Sequence, residues 1–167
     1  PKRAAHTLGV LGNVAAGPLP DAAARPFPGN ANLGQAAQWI MARGPRQVII
    51  KKGEHGAFMF TEKSIFFAPA FPLENVFDPT GAGDSFAGGF FGYLAATGDL
   101  SEANMRRAVI YGSVMGSFAV EKFSIERLMK VTRAEINQRV RDMRRPVAFE
   151  EELQAGAMMR SGTEARA

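Results

Sequence analysis

Apolar residues first fall into helical register at Leu33, Ala36, Ala37, Ile40 and Met41, spaced i, i+3, i+4, i+7 and i+8. This spacing predicts an amphipathic helix with Asn32 as its N-cap and Gly44-Pro45 as its stop. Val48-Ile49-Ile50 is a continuous β-branched run and predicts a short strand covered on both faces. The runs Ala57 to Thr61 and Ile65 to Ala68, joined by Glu62-Lys63-Ser64, predict a hairpin. Asn75-Val76-Phe77 reads as one more brief strand. After Asp84 a helix is expected through Phe86, Phe90 and Leu94 to Gly98, and another from near Ser101 to about Val120. Ser124 is placed to cap a short helical turn, and Thr132-Arg-Ala-Glu135 has the capping-box spacing that opens a last helix before Pro146.

The first 30 residues break this order. Seven are Ala, four Gly and five Pro, without helical or alternating periodicity, so residues 1–30 are expected to form an irregular leader. Residues 31–146 then form one α/β domain, and residues 147–167 a frayed tail. The length of 167 residues suits a single domain, and 46% hydrophobic with 22% charged residues excludes the disordered class. No apolar run approaches the roughly 20 residues needed to span a bilayer. Lys2-Arg3 and the apolar stretch from Leu8 to Ala16 imitate a signal peptide, but Gly12 and Asn13 interrupt it, so a soluble, cytoplasmic chain is expected. The absence of cysteine removes disulfides, thiolate catalysis and thiolate metal sites, and two histidines make a histidine-built metal site a poor reading. A net charge of +4 favours an anionic ligand.

Chemistry concentrates in Asp78-Pro-Thr80-Gly81-Ala82-Gly83-Asp84. Small residues where a chain enters a helix let the backbone approach a ligand, and the unpaired amides of the first turn carry about half a positive charge that suits phosphate. Asp84 adds a carboxylate there, which would repel phosphate if binding were its only task. The pairing therefore points to a base that deprotonates a hydroxyl attacking that phosphate. The competing reading is a tight turn whose Asp84 merely complements the helix.

The longer string from Asp78 to Phe90, Asp-Pro-Thr-Gly-Ala-Gly-Asp-Ser-Phe-Ala-Gly-Gly-Phe, closely resembles the C-terminal signature of the pfkB carbohydrate kinase family, and the run from Trp39 to about Phe123 is similar to it in order and spacing. The resemblance implies the C-terminal half of a ribokinase-like α/β/α sandwich with a mixed, mostly parallel sheet and a β-hairpin. It implies ATP-dependent phosphoryl transfer, with Mg2+, to a hydroxyl of a sugar or nucleoside. Asp84 would be the base, and amides of Gly81, Ala82 and Gly83 would hold the transferring phosphate. Lys52-Gly53-Glu-His-Gly56 looks like the glycine turn beside the nucleotide, with Lys52 near its phosphates or ribose and Gly53 and Gly56 admitting ATP. For Lys51 and Lys52 a solvated strand end is an equal reading, and His55 reads as an exposed turn residue. Asp78 and Thr80 match positions that order the loop through a monovalent cation such as K+, although Lys122-Phe-Ser-Ile-Glu126 lacks the glycines of the family's second cation loop. Gly112 and Gly116 fall near adenine in the family, with close helix packing the alternative.

Between Arg127 and Arg145 seven Lys or Arg face only Glu135 and Asp142, which is read as a solvated helix face rather than a nucleic-acid surface. The family's Asn-x-x-Glu motif finds no glutamate here, where Asn30-Ala-Asn-Leu33 and Asn32-Leu-Gly-Gln35 stand instead. The shift near residue 30 is read as a rearranged product with an unrelated leader. Little turnover is expected from this part alone, and self-association through an exposed sheet edge is expected. A non-catalytic nucleotide- or phosphate-binding module is the alternative function.

Overall fold

The computed structural model describes residues 9–11, 14–18 and 33–148. The five strands are β1 (Gly9–Leu11), β2 (Val14–Pro18), β3 (Gln47–Lys51), β4 (Ala57–Thr61) and β5 (Ile65–Ala68). They lie side by side in chain order in one sheet. The four helices are α1 (Leu33–Met41), α2 (Ala82–Thr97), α3 (Glu102–Ala119) and α4 (Arg133–Asp142).

Strand alternation divides the sheet's side chains between two cores. Val48, Ile50 and Phe60 pack with Ala37 and Ile40 of α1 on one face. Ile49, Ala57, Met59 and Ala68 pack with Phe86, Phe90 and Leu94 of α2 and Met105, Ala108 and Val109 of α3 on the other. The result is the expected helix–sheet–helix layering, with α4 outside α3 where Met143 joins Val114 and Phe118. Among the described residues α1 is the one helix packed on the first face, and Ile65 and Phe67 at the β5 edge are exposed.

The predicted helices and hairpin form close to their expected bounds. The helix α2 ends at Gly98 in the left-handed conformation, Ser101 caps α3 by accepting from the Asn104 amide, and Thr132 with Glu135 closes the capping box of α4. Asn32, the expected cap of α1, and residues 149–167 lie outside the described residues.

Four expectations are corrected. The sheet is mixed but not mostly parallel: of the four pairings among the described residues only β2 with β3 is parallel, because the hairpin fixes the other β3 neighbour as antiparallel. Residues 9–11 and 14–18 are strands rather than irregular leader. Backbone pairing of β2 along the whole of β3 organises a segment that has no periodicity of its own. Asn75-Val76-Phe77 forms no strand, and its one backbone bond across the fold, from the Phe77 amide to the Val120 carbonyl at 2.9 Å, ties it to the end of α3. Ser124 does not cap a helical turn either; it reverses the chain with a φ of 55°.

Candidate active site

The loop from Asp78 to Gly81 is built to start a helix. Asp78 Oδ1 accepts the Thr80 amide at 2.9 Å, a local Asx turn. The Thr80 side chain, then the Thr80 amide and, less, the Ser124 amide hold the Asp78 carboxyl below its ordinary value. Their pairing thus has a purely local explanation beside the expected cation role. Gly81 then takes the left-handed conformation, φ 80°, as the N-cap of α2, a backbone state that glycine adopts without penalty.

No side chain caps α2. The Ser85 amide closes the first turn onto the Gly81 carbonyl at 2.9 Å, and the Ala82 amide makes a long bond of 3.3 Å to the Pro79 carbonyl. Among the described residues the amides of Gly81, Gly83 and Asp84 have no acceptor. The open donor set therefore differs by one member from the expected Gly81, Ala82 and Gly83. Gly81, Gly83 and Asp84 are all exposed, so the free donors and the carboxylate share one accessible turn.

A cation brought to this turn is Lys51. Strand alternation puts Lys51 on the face of Ile49, which packs against α2. Its Nζ donates to the Gly83 carbonyl at 3.1 Å and lies 5.5 Å from the Phe86 ring centroid. Burial pushes the Lys51 ammonium below its ordinary value, and the Asp84 charge pulls it partly back. The solvated-end reading of Lys51 is thereby overturned. The signal was present in the period of two along Ile49-Ile50-Lys51.

The remaining expected residues divide by geometry. The Lys52 amide donates to the Gly56 carbonyl at 2.8 Å and the Gly56 amide to the Gly53 carbonyl at 3.1 Å, closing a tight turn around a 3-10 segment, Gly53–His55. A side chain at Gly53 would meet open space, whereas one at Gly56 would overlap the Ala68 carbonyl at the end of β5. Glycine at 56 is thus explained by strand packing, and Gly53 alone offers bare backbone to a ligand. Gly112 is buried, and a Cβ there would stand 2.9 Å from the Phe86 carbonyl; at Gly116 it would stand 3.3 Å from the Ala82 carbonyl. Both glycines let α3 press on the first turns of α2, which is the packing alternative rather than an open adenine wall.

The basic stretch is corrected too. Arg127 Nε binds Glu121 at 2.9 Å and its Nη2 binds Glu135 at 2.6 Å. Arg139 pairs with the other Glu121 oxygen, donates to Ser117 Oγ at 3.0 Å and stacks 3.6 Å from the Phe118 ring centroid. Two of the seven cations thus join α4 to α3 instead of facing solvent. Sequence reasoning missed Glu121 because it lies outside the counted window.

Among the described residues no three His, Asp or Glu side chains converge to hold a metal ion, and no helix is long and apolar enough to cross a membrane. A magnesium ion at this turn would take most of its ligands from phosphates and water, the usual habit of that ion.

Comparison with known proteins agrees with this arrangement. The chain is 37% identical over 78 residues to a deoxyribokinase of Salmonella typhi, a match covering 47% of this chain and 25% of that protein. Its structure superposes on fructokinase from Vibrio cholerae O395, solved with fructose, ADP and calcium ion, with a TM-score of 0.65 and 22% identity over 77% of this chain and 41% of that one. Aminoimidazole riboside kinase from Salmonella enterica, solved with its riboside and an ATP analogue, gives the same TM-score at 25% identity, covering 77% and 42%. The chain spans about a quarter of the length of the curated deoxyribokinase that it matches. The family model of the pfkB carbohydrate kinases matches residues 22–130, from within the expected leader through the anion turn to the start of the basic stretch. With the Gly81–Asp84 turn inside that match, this chain belongs to the pfkB family of carbohydrate kinases.

Proposed function

We propose that the chain carries the phosphate-binding and base-bearing part of an enzyme that moves the γ-phosphoryl group of ATP onto a hydroxyl of a sugar or nucleoside. The observation that carries this reading is the opening of α2, where amides without acceptors and the exposed Asp84 carboxylate occupy one helical turn. In the reaction Asp84 takes the hydroxyl proton as the oxygen–phosphorus bond forms, and the bond from the γ-phosphorus to the bridging oxygen breaks to release ADP. The open amides of Gly81, Gly83 and Asp84 offset charge on the phosphoryl oxygens, in place before the reaction and needing little reorganisation. When bound, magnesium supplies charge neutralisation between the nucleotide phosphates. The bare backbone at Gly53 is the nearest match to a nucleotide-bordering turn.

Support for a sugar or nucleoside acceptor comes from relatives named for deoxyribose and aminoimidazole riboside. The test is an assay with ATP and magnesium against deoxyribose, fructose, cytidine and aminoimidazole riboside. Weak turnover of at least one acceptor is expected, and Asp84→Asn should lower it by about 10²–10⁴, the usual worth of a general base, while ATP affinity is undiminished. Retained turnover in Asp84→Asn overturns the role of Asp84. Binding of ATP without any turnover favours the second reading, a non-catalytic phosphate-binding module.

A further inference from the structure

We propose that two copies of this chain pair through β5, antiparallel about a two-fold axis at Phe66, so that their sheets join into one.

The backbone of the hairpin selects both the occupant and its register. The Thr61 amide donates to the Ser64 carbonyl at 2.9 Å, which makes these two residues a hydrogen-bonded pair of the β4–β5 ladder. Hydrogen-bonded and non-hydrogen-bonded pairs alternate along an antiparallel ladder, so Phe66 bonds to Met59 and Ala68 to Ala57. The peptide groups of Ile65 and Phe67 then point away from β4, to a side where no further strand lies among the described residues. A second β5 engages all of them when Ile65 stands opposite Phe67 of the other copy and Phe67 opposite its Ile65. Sliding two residues one way sets Ile65 against Pro69, which has no amide to give. Sliding two residues the other way sets Phe67 against Lys63, whose amide already donates to Thr61 Oγ1 at 3.2 Å.

The side chains agree with this register. Opposed residues share a face, and Ile65 and Phe67 lie opposite Phe60 and Phe58, on the side where α1 packs. Phe67 is held against Phe58, ring centroids 4.7 Å apart, and its outer side stays exposed beside Ile65. A two-fold axis through the Phe66 pair keeps like faces together, so Ile65 and Phe67 of each copy cover those of the other. The segment Ile65–Ala68 has no charge and no proline to guard the edge, and no like charges meet across the axis. The nearby Arg106, 5.6 Å from the Phe66 ring centroid, is paired with Glu102. Each copy has one β5, so the assembly closes at two.

The chain contains no cysteine, so single introduced cysteines report the pairing directly when the full chain is oxidised in a glutathione buffer. Phe66 meets its own counterpart as a non-hydrogen-bonded pair, whose Cα separation of about 4.5 Å admits a disulfide. Phe66→Cys should therefore form a covalent dimer. An equal mixture of Ile65→Cys and a size-tagged Phe67→Cys should give the mixed dimer in preference to either like pair, since like residues stand two positions out of register. Both of these variants change exposed side chains, so they test the pairing even if Phe66→Cys loosens the second core. Met129→Cys, equally exposed in the turn between α3 and α4, should stay monomeric and controls for random collision. Cross-linking of the Ile65 and Phe67 variants no stronger than that of Met129→Cys overturns the inference. Like pairs in excess over the mixed dimer overturn it as well, by excluding the axis at Phe66. The proposed function stands under either result, since its own test is turnover and ATP binding.

Discussion

At Gly56 the backbone takes a φ of 87°, and an added methyl would run into the Ala68 carbonyl and stand 3.0 Å from the Ala70 amide nitrogen. Both neighbours are backbone and neither can rotate away. Gly56→Ala should therefore lower stability by about 1–3 kcal/mol through strain and overlap together, read by urea denaturation. Gly53 has a positive φ with free space around it, so Gly53→Ala should cost less than Gly56→Ala in the same measurement. The two glycines look alike in sequence, three residues apart in one turn. Only the strand end lying against one of them separates their roles, and that neighbour is twelve residues further along the chain. The same limit explains Lys51 and Lys52. Alternation along β3 distinguishes them once Ile49 is known to face α2, but which face α2 covers is settled by packing.

Among the elements, α4 shows how a polar helix is held in place. Its link to α3 runs through Glu121, Arg127, Glu135 and Arg139, with Met143 as the buried apolar anchor. Arg127, and after it the Thr132 side chain and amide, hold the Glu135 carboxyl down at about 2 from the usual 4.5. A carboxylate lowered on folding stabilises the fold above its unfolded value and loses that contribution as pH falls. Melting temperature should accordingly drop between about pH 4.5 and 2. Glu135→Gln should flatten that part of the profile, and an unchanged slope would show that other carboxylates govern it. The capping box that opens α4 was legible because Thr132 and Glu135 are three residues apart, as were the hairpin and the helices α1 to α3, each set by local periodicity and caps. The strands β1 and β2 were not legible, since their order comes from pairing onto β3 across a gap in the chain. Val76 and Phe77 misled for the converse reason: a β-branched residue beside an aromatic makes no strand where no neighbour offers a ladder.

At the scale of the whole molecule, the α/β/α layering followed from motif and pattern together, whereas the sheet's handedness of pairing did not. The β5 edge has Ile65 at 65% and Phe67 at 45% exposure on one face, with β4 as its only partner among the described residues. Short length protects an edge, but two large apolar side chains work against that protection. Sedimentation across roughly two decades of concentration should show a weight-average mass that rises, and Phe67→Lys should suppress the rise by placing a charge on the edge. A mass that is constant and monomeric throughout would remove the sheet edge as an association surface.

The strands of the sheet lie in the order in which they occur in the chain, and α2 and α3 are likewise consecutive. The β3–β4 and β4–β5 ladders therefore close between segments that leave the ribosome one after the other, whereas β2 and β3 are separated by residues 19–46. Contacts of short sequence separation favour rapid folding, since little chain entropy is lost before they form. The hairpin and the β3 ladder can zip as soon as residue 68 emerges, with the α2–α3 pair following to seal the second core. The anion turn at Gly81 sits at the seam between these two stages, so it is completed only once α2 has seated on the sheet.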